Sequence, residues 1–451
     1  MVRRTARLPA AGTATHRRRR AVGPAVFVLA ALVAALVAGT ALAGNAAPEP
    51  TPQGTPQPIG DRLSASIQQA RERLRRLPAA DATWASLGSL YVEQARATAD
   101  PSYYTQAQGA LDRSLALRPS DNAPALIGLG ALANARHDFP QARRHAEEAL
   151  ALAPSSAEAH GVLADAATQL GDADAASDAV QHMLDLRPGV ASFTRASYDL
   201  ELHGQVDDAR VALDRALEAA TGRDELAFCH YYVGELAWNR GDVGAARAAY
   251  DRGLAAVPGD PALLEGRAKV LAATGRVPEA IEAYDRLTRR VPLPQYLVEQ
   301  GELLQAAGRP ADANRAYALI ADQQRLRAAQ GSSDDLTAAL VAADHGDPAE
   351  AVRLADAEWG RRQSIFSADA LAWALHAAGR DAEALPYADR ASALGRRDAA
   401  SAYHRGMILA GLGRNIEAVI ALEGALSTNP QFSPLHADKA MHMLDRLRGA
   451  S

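Results

Sequence analysis

Cys229 and His230 are neighbours in the chain, and a thiol beside an imidazole is the pairing from which nucleophilic catalysis draws a thiolate. On a helix, however, adjacent side chains point about 100° apart, so the pair does not converge on one proton. The stretch Gly128 to Ala133, GLGALA, has the look of a glycine-rich nucleotide loop. It lacks the third glycine and a preceding strand, and it falls where a helix needs small residues for packing. Twelve histidines are scattered with no HExxH motif and no paired spacing on one helix face. One cysteine supports neither a disulfide framework nor a Cys-based metal site within the chain. The abundant carboxylates read as solvated helix exteriors. These residues point to no catalytic apparatus, no cofactor and no metal.

The elements that would position any site come from composition and period. The 451 residues are 48% hydrophobic, 22% charged and 5% aromatic. A single core stops growing near about 250–300 residues, a limit that a stack of repeats escapes because each unit packs only on its neighbours. Lys occurs only as Lys269 and Lys439; every other basic residue is Arg. The formal net charge is −5, yet residues 1–20 carry seven Arg and no acid, which leaves the rest at −12. An acidic body excludes nucleic-acid binding, which needs a basic footprint.

Residues 1–20 form a basic n-region, and the segment 21–43 that follows contains no charge. This is the pattern of a signal peptide or a transmembrane anchor. Ala41–Ala43 offers a small-x-small cleavage site, whereas the 23-residue apolar run is long enough to span a bilayer. Either reading keeps the Arg cluster in the cytoplasm and sends the remainder outward, membrane-anchored or secreted. No Cys lies near Ala43 to carry a lipid. Residues 44–60, rich in Pro and small polar residues, read as an extended linker that holds the folded body off the membrane.

The body repeats itself. A recurring alanine stands at Ala107, Ala142, Ala176, Ala209, Ala246, Ala280, Ala313, Ala351, Ala384 and Ala418, spaced by 35, 34, 33, 37, 34, 33, 38, 33 and 34 residues. A period near 34 is that of a helix–turn–helix unit. Five residues before the alanine, eight copies carry Gly, the residue that enters the left-handed conformation most cheaply at a helix end. Twelve residues after it, six copies carry the Pro that stops the second helix. Four residues after it stands an apolar partner such as Leu111, Tyr250, Tyr284, Tyr317 or Leu422, on the same helix face. The small alanine allows close approach of two backbones.

The first copy contains "WASLGSLY", with Trp84, Leu87, Gly88 and Tyr91, then Ala107, Leu111 and Pro119. In these residues and in the period the chain resembles the tetratricopeptide repeat family. The resemblance implies an all-α, right-handed superhelical solenoid of antiparallel helical hairpins. Ten repeats cover 81–432, preceded by a half-repeat or cap helix at 61–80 and followed by a C-terminal cap helix at 433–451.

In this family the first helix of each repeat lines a concave groove, at positions 2, 5, 9, 12 and 13. The implied groove residues are Phe228, Tyr231, Glu235, Trp238 and Asn239 in repeat five. Repeats nine and ten contribute Phe366, Trp373 and His376, then Tyr403 and Met407. Aromatics exposed in a concave surface are typical binding anchors. Asp165, Glu265 and Glu302 make part of the groove acidic, and the family's carboxylate-gripping Asn, Lys and Arg pattern is missing. The expected function is a non-catalytic scaffold for a protein or peptide, outside the cytoplasmic membrane. The alternative is an accessory or substrate-presenting subunit of an envelope enzyme or transport system, and self-association through the groove or caps is a third possibility.

Overall fold

The computed structural model describes residues 59–98, 100–329 and 335–449, and these form twenty-two α-helices with no strand among them. Helix α1 (Ile59–Arg76) precedes ten hairpins. The first five are α2 (Asp81–Thr98) with α3 (Ser102–Leu117), α4 (Ala123–Ala135) with α5 (Phe139–Leu152), α6 (Ala157–Leu170) with α7 (Ala173–Leu186), α8 (Val190–Leu202) with α9 (Val206–Ala219), and α10 (Arg223–Trp238) with α11 (Val243–Ala256). The second five are α12 (Pro261–Ala273) with α13 (Val277–Arg290), α14 (Pro294–Ala306) with α15 (Pro310–Ala329), α16 (Asp335–His345) with α17 (Pro348–Arg361), α18 (Ile365–Ala377) with α19 (Asp381–Ala391), and α20 (Ala399–Gly411) with α21 (Asn415–Thr428). Helix α22 (His436–Gly449) ends the stack. The segments read as basic n-region and signal or anchor, and the linker as far as residue 58, lie outside the described residues; Ile59 and Gly60, expected in the linker, instead open α1. Among those described, no helix is long and apolar enough to cross a membrane.

Local chemistry sets the helix ends. Asp138, Ser156, Asp172, Asp242, Asp260 and Ser364 each accept a hydrogen bond from the backbone N–H three residues on, satisfying a donor that the first helical turn leaves free. Where Arg takes that place, it donates instead to an acid three residues on: Arg276 to Glu279, Arg380 to Glu383 and Arg414 to Glu417. The turn before the second helix needs left-handed backbone. Seven of the eight repeat glycines supply it, from Gly241 at φ 66° to Gly171 at φ 82°, and Gly346 alone does not. In repeat two, which has no glycine there, His137 takes φ 62° itself.

Packing follows the repeated residues. None of the ten recurring alanines is more than 3% exposed. Leu87 and Tyr91 are buried and Trp84 is half-buried, its indole N–H donating to the Pro78 carbonyl at 2.9 Å. The bulky residue four places beyond the alanine needs a gap in the opposing helix, which glycine provides. A Cβ on Gly234 would lie 2.2 Å from the Tyr250 ring, one on Gly301 2.3 Å from the Tyr317 ring, and one on Gly88 2.5 Å from Leu111 Cγ. Mid-helix glycine costs about 1 kcal/mol relative to alanine. Burying a large apolar side chain contributes about 1.5–3 kcal/mol, enough to offset it.

The coil closes on itself. Arg362, in the loop between α17 and α18, donates to Gln169 at the end of α6, 193 residues away. Asn429, between α21 and α22, donates to the Trp238 carbonyl at the end of α10, 191 residues away and 3.3 Å distant. Between these two points, a Cβ on Gly204 would lie 2.4 Å from the Gly395 carbonyl oxygen, and one on Gly171 2.3 Å from that of Gln363. The offset is constant, so one superhelical turn takes about five and a half 34-residue units. Its edges meet along a seam. Leu202 of α8 packs with Leu336, Phe366 and Ala370 there, and Arg396 pairs with Asp398 at 2.8 Å. Helix α18, covered on every side, buries ten consecutive residues from Phe366 to Leu375, as a helix apolar all round must.

Candidate binding cavity

The coil borders a half-open cavity of about 1730 Å³, lined by early hairpins on one side and by α14, α16, α20 and α22 on the other. Its aromatic wall includes Tyr104, Phe228, Tyr231, Tyr232, Trp238 and Tyr296. Phe228 and Tyr232 pack edge to face at 4.8 Å, and Tyr231 and Tyr232 do so at 5.3 Å. Two polar clusters stand among these rings.

The first cluster surrounds Lys269 on α12. Its ammonium donates to both oxygens of Glu235 at 2.8 and 3.0 Å and lies 2.9 Å from Glu265 Oε1. Tyr250 donates to Glu235 at 2.6 Å, and Tyr284 to Glu299 at 2.9 Å. Burial lowers the Lys269 pKa, but the surrounding carboxylates Glu235, Glu265 and Glu299 outweigh it and hold the ammonium charged. Three carboxylates around one cation exceed what that cation neutralises. Burial, reinforced by Glu299, raises Glu265 well above the ordinary range against the pull of Lys269, and burial raises Glu299 too.

The second cluster joins Glu302 of α14, Asp344 of α16 and His436 of α22. Each offers a ligand atom, and these atoms lie within 4.8 Å of one another. Ser433 donates to Glu302 Oε2 at 2.9 Å, and the Trp373 indole N–H donates to Asp344 Oδ1 at 2.9 Å. Burial pushes Glu302 up to about 7, with His436 opposing. Burial would raise Asp344, but His436 beside it, with His404 and His345 behind, together outweighs burial and draws it down to about 2.

Tetratricopeptide repeat family models match residues 133–193, 196–261, 234–293 and 399–432, within the ten hairpins already described. Over these residues the chain is built of tetratricopeptide repeats. No curated protein matches it in sequence. Among solved structures it is similar to the human IFIT1 dimer with m7Gppp-AAAA, at 15% identity and TM-score 0.46, over 74% of this chain and 77% of that one. It is also similar to PilF of Pseudomonas aeruginosa (18%, TM-score 0.37, 46% and 92%). A third likeness is to a tetratricopeptide repeat protein of Parabacteroides merdae (17%, TM-score 0.34, 57% and 98%). Likeness at these identities speaks for the fold alone.

Within this tetratricopeptide array the expected groove residues divide. Phe228, Tyr231 and Trp238 border the cavity, with Phe228 and Tyr231 half-exposed and Trp238 only 3% exposed. Glu235 is spent on Lys269 and Tyr250, and Asn239 donates to Glu201 at 2.7 Å. The expectation of exposed anchors in repeats nine and ten is corrected: Phe366, Trp373 and Tyr403 are 3%, 6% and 1% exposed. Phe366 is a seam residue, and Trp373 stacks on His404 at 4.2 Å while Tyr403 stacks on His436 at 5.1 Å. His376 bonds Asp381 at 2.5 Å, and Met407 packs against the same core. The physical reason is coverage: the α22 cap and the seam occupy the space that an open groove would leave.

Asp165, expected on an acidic surface, is instead held by a bidentate bond from Arg195 at 2.7 and 2.8 Å. Cys229 is fully buried, and burial pushes its thiol up to about 12, the opposite of an activated nucleophile. Residues Gly128 to Ala133 lie inside α4, where a Cβ on Gly128 would meet Leu111 at 2.4 Å. Sequence reasoning missed Tyr232, Lys269, Glu299, Asp344 and His436 as cavity residues. Only Lys269 left a signal, as one of two lysines in an Arg-rich chain.

Proposed function

We propose that this chain is a non-catalytic scaffold outside the cytoplasmic membrane that holds an extended segment of a protein partner within its coil. Tetratricopeptide arrays serve as protein-interaction scaffolds, and one observation carries the finer reading here: the cavity between the turns, with an aromatic wall and the carboxyls of Glu299 and Glu302 on it. Aromatic rings bury aliphatic stems at small entropic cost, and carboxyls that burial keeps from ionising gain a counter-charge from a segment bearing Lys or Arg. Residues 1–20 and 21–43 supply the outward address, as anchor or as cleaved signal, and 44–60 the reach.

Site-specific photocrosslinking tests this in the native host. A crosslinker at Phe228, on the cavity wall, is expected to capture a partner that one at Ile416, 80% exposed on α21, does not. Capture of the same proteins from both positions, or from Ile416 alone, sinks the cavity reading. A periplasmic reporter enzyme fused after residue 60 is expected to be active, and an inactive but expressed fusion overturns the proposed location.

A further inference from the structure

Glu302, Asp344 and His436 are 42 and 92 residues apart in sequence, and three different layers of the stack bring them together beside the cavity. A buried carboxylate (Glu302), a partly buried one (Asp344) and a buried imidazole bring three ligand atoms within 4.8 Å of one another. A second observation points the same way. His436 is 4% exposed, and its Nε2 faces Asp344 Oδ1 at 3.2 Å as an ion-pair contact outside hydrogen-bond geometry. A buried ring nitrogen is normally satisfied by a hydrogen bond or by a bound ion.

The geometry points to a divalent transition-metal site, with Zn²⁺ as its natural occupant, held by Glu302, Asp344 and His436. Ligand atoms around zinc at about 2.0–2.2 Å sit about 3–3.5 Å from one another, and the His436–Asp344 distance already falls there. Two carboxylates and a neutral imidazole balance a 2+ ion with no residual charge. An outer shell is in place as well. The Trp373 N–H fixes Asp344 and the Ser433 hydroxyl fixes Glu302, as partners of metal-binding carboxylates do elsewhere. All three ligands face the cavity, so the fourth position is open to water or to a donor from a bound segment. Because the ligands come from α14, α16 and the α22 cap, the ion would also tie the cap to the coil. This inference stands on the cluster alone and does not depend on the proposed partner.

The test uses the full chain, purified without a polyhistidine tag and stripped with a chelator. Zn²⁺ titration by calorimetry is expected to show one equivalent bound, and Co²⁺ to give the visible bands of a low-coordinate site at the same stoichiometry. Asp344→Asn and His436→Gln are each expected to weaken binding by more than about tenfold, and Ser433→Ala by several-fold to about tenfold. No saturable binding by the wild-type chain, or undiminished binding by folded His436→Gln, overturns the site. Should the ligand substitutions unfold the chain, the wild-type Co²⁺ spectrum decides. Low-coordinate bands at one equivalent support the site, and the weak spectrum of the hydrated ion overturns it.

Discussion

Phe228 and Tyr231 of hairpin five stand at the same repeat positions as Phe366 of hairpin nine and Tyr403 of hairpin ten, yet their surroundings are opposite. Phe228 and Tyr231 are half-exposed on the cavity wall, whereas Phe366 and Tyr403 are 3% and 1% exposed. Helix α10 meets the cavity because the turn above it begins only at α21, through Asn429 and the Trp238 carbonyl. Helices α18 and α20 are sealed by the seam on one side and by α22 on the other. Repeat position alone therefore does not define a binding surface in a coil this tight. Coverage by the next turn decides between an anchor and a core residue.

The largest effect that can break this comparison is on stability. Tyr403→Ala removes a ring stacked on His436 and packed against Trp373 and Phe432. It is expected to cost about 3–5 kcal/mol in urea unfolding, as large-to-small core changes do. Tyr231→Ala is expected to cost about 1 kcal/mol, because part of its ring already faces open space. Equal losses at the two positions would mean that the cavity wall is as tightly packed as the cap and that the contrast is wrong.

The seam supplies an intermediate effect. Gly171 and Gly275 have nearly the same backbone, φ 82° and 78°, but a Cβ on Gly171 would meet the Gln363 carbonyl at 2.3 Å while one on Gly275 meets nothing within 4 Å. Gly275→Ala isolates the left-handed penalty, about 1–2 kcal/mol. Gly171→Ala adds the clash and is expected to cost about 1–2 kcal/mol more. It should also raise the radius of gyration in small-angle X-ray scattering, which Gly275→Ala should not. Unchanged scattering for a folded Gly171→Ala chain would show that the turns do not close there.

The sequence carried the hairpins because their determinants are local. Ala246 and Tyr250 lie four residues apart on one helix, and Asp242 caps the helix that carries them. Gly241 or His137 takes the left-handed turn wherever the chain must reverse, and only the glycine could be read in advance. The seam and the two polar clusters were hidden because their partners are distant. Gln169 meets Arg362 across 193 residues, and Glu302 meets His436 across 134, with no period or motif marking either pair. The aromatics of hairpins nine and ten were misplaced for the same reason, since nothing in a 34-residue unit states whether another turn will cover it.

The smallest effect concerns the charge imbalance of the cavity. Glu265 is 1% exposed, and burial with Glu299 beside it raises its carboxyl well above the usual value near 4.5. A carboxyl whose folded pKa is raised contributes stability that is full below its unfolded pKa and is lost as pH rises through the folded one. One such proton accounts for at most about 1.4 kcal/mol per pH unit. The wild-type melting temperature should therefore fall between about pH 5 and 9. Glu265→Gln keeps the shape, leaves Lys269 with Glu235 and Glu299, and removes the proton that must be lost. Its stability should change less over that range and exceed wild type at the alkaline end by about 1 kcal/mol. The same substitution at Glu279, exposed on the outside of α13 and paired with Arg276, removes no buried charge and should leave the wild-type slope in place. A wild-type slope persisting in Glu265→Gln would assign the pH dependence to other groups and leave the cavity without its surplus carboxylate.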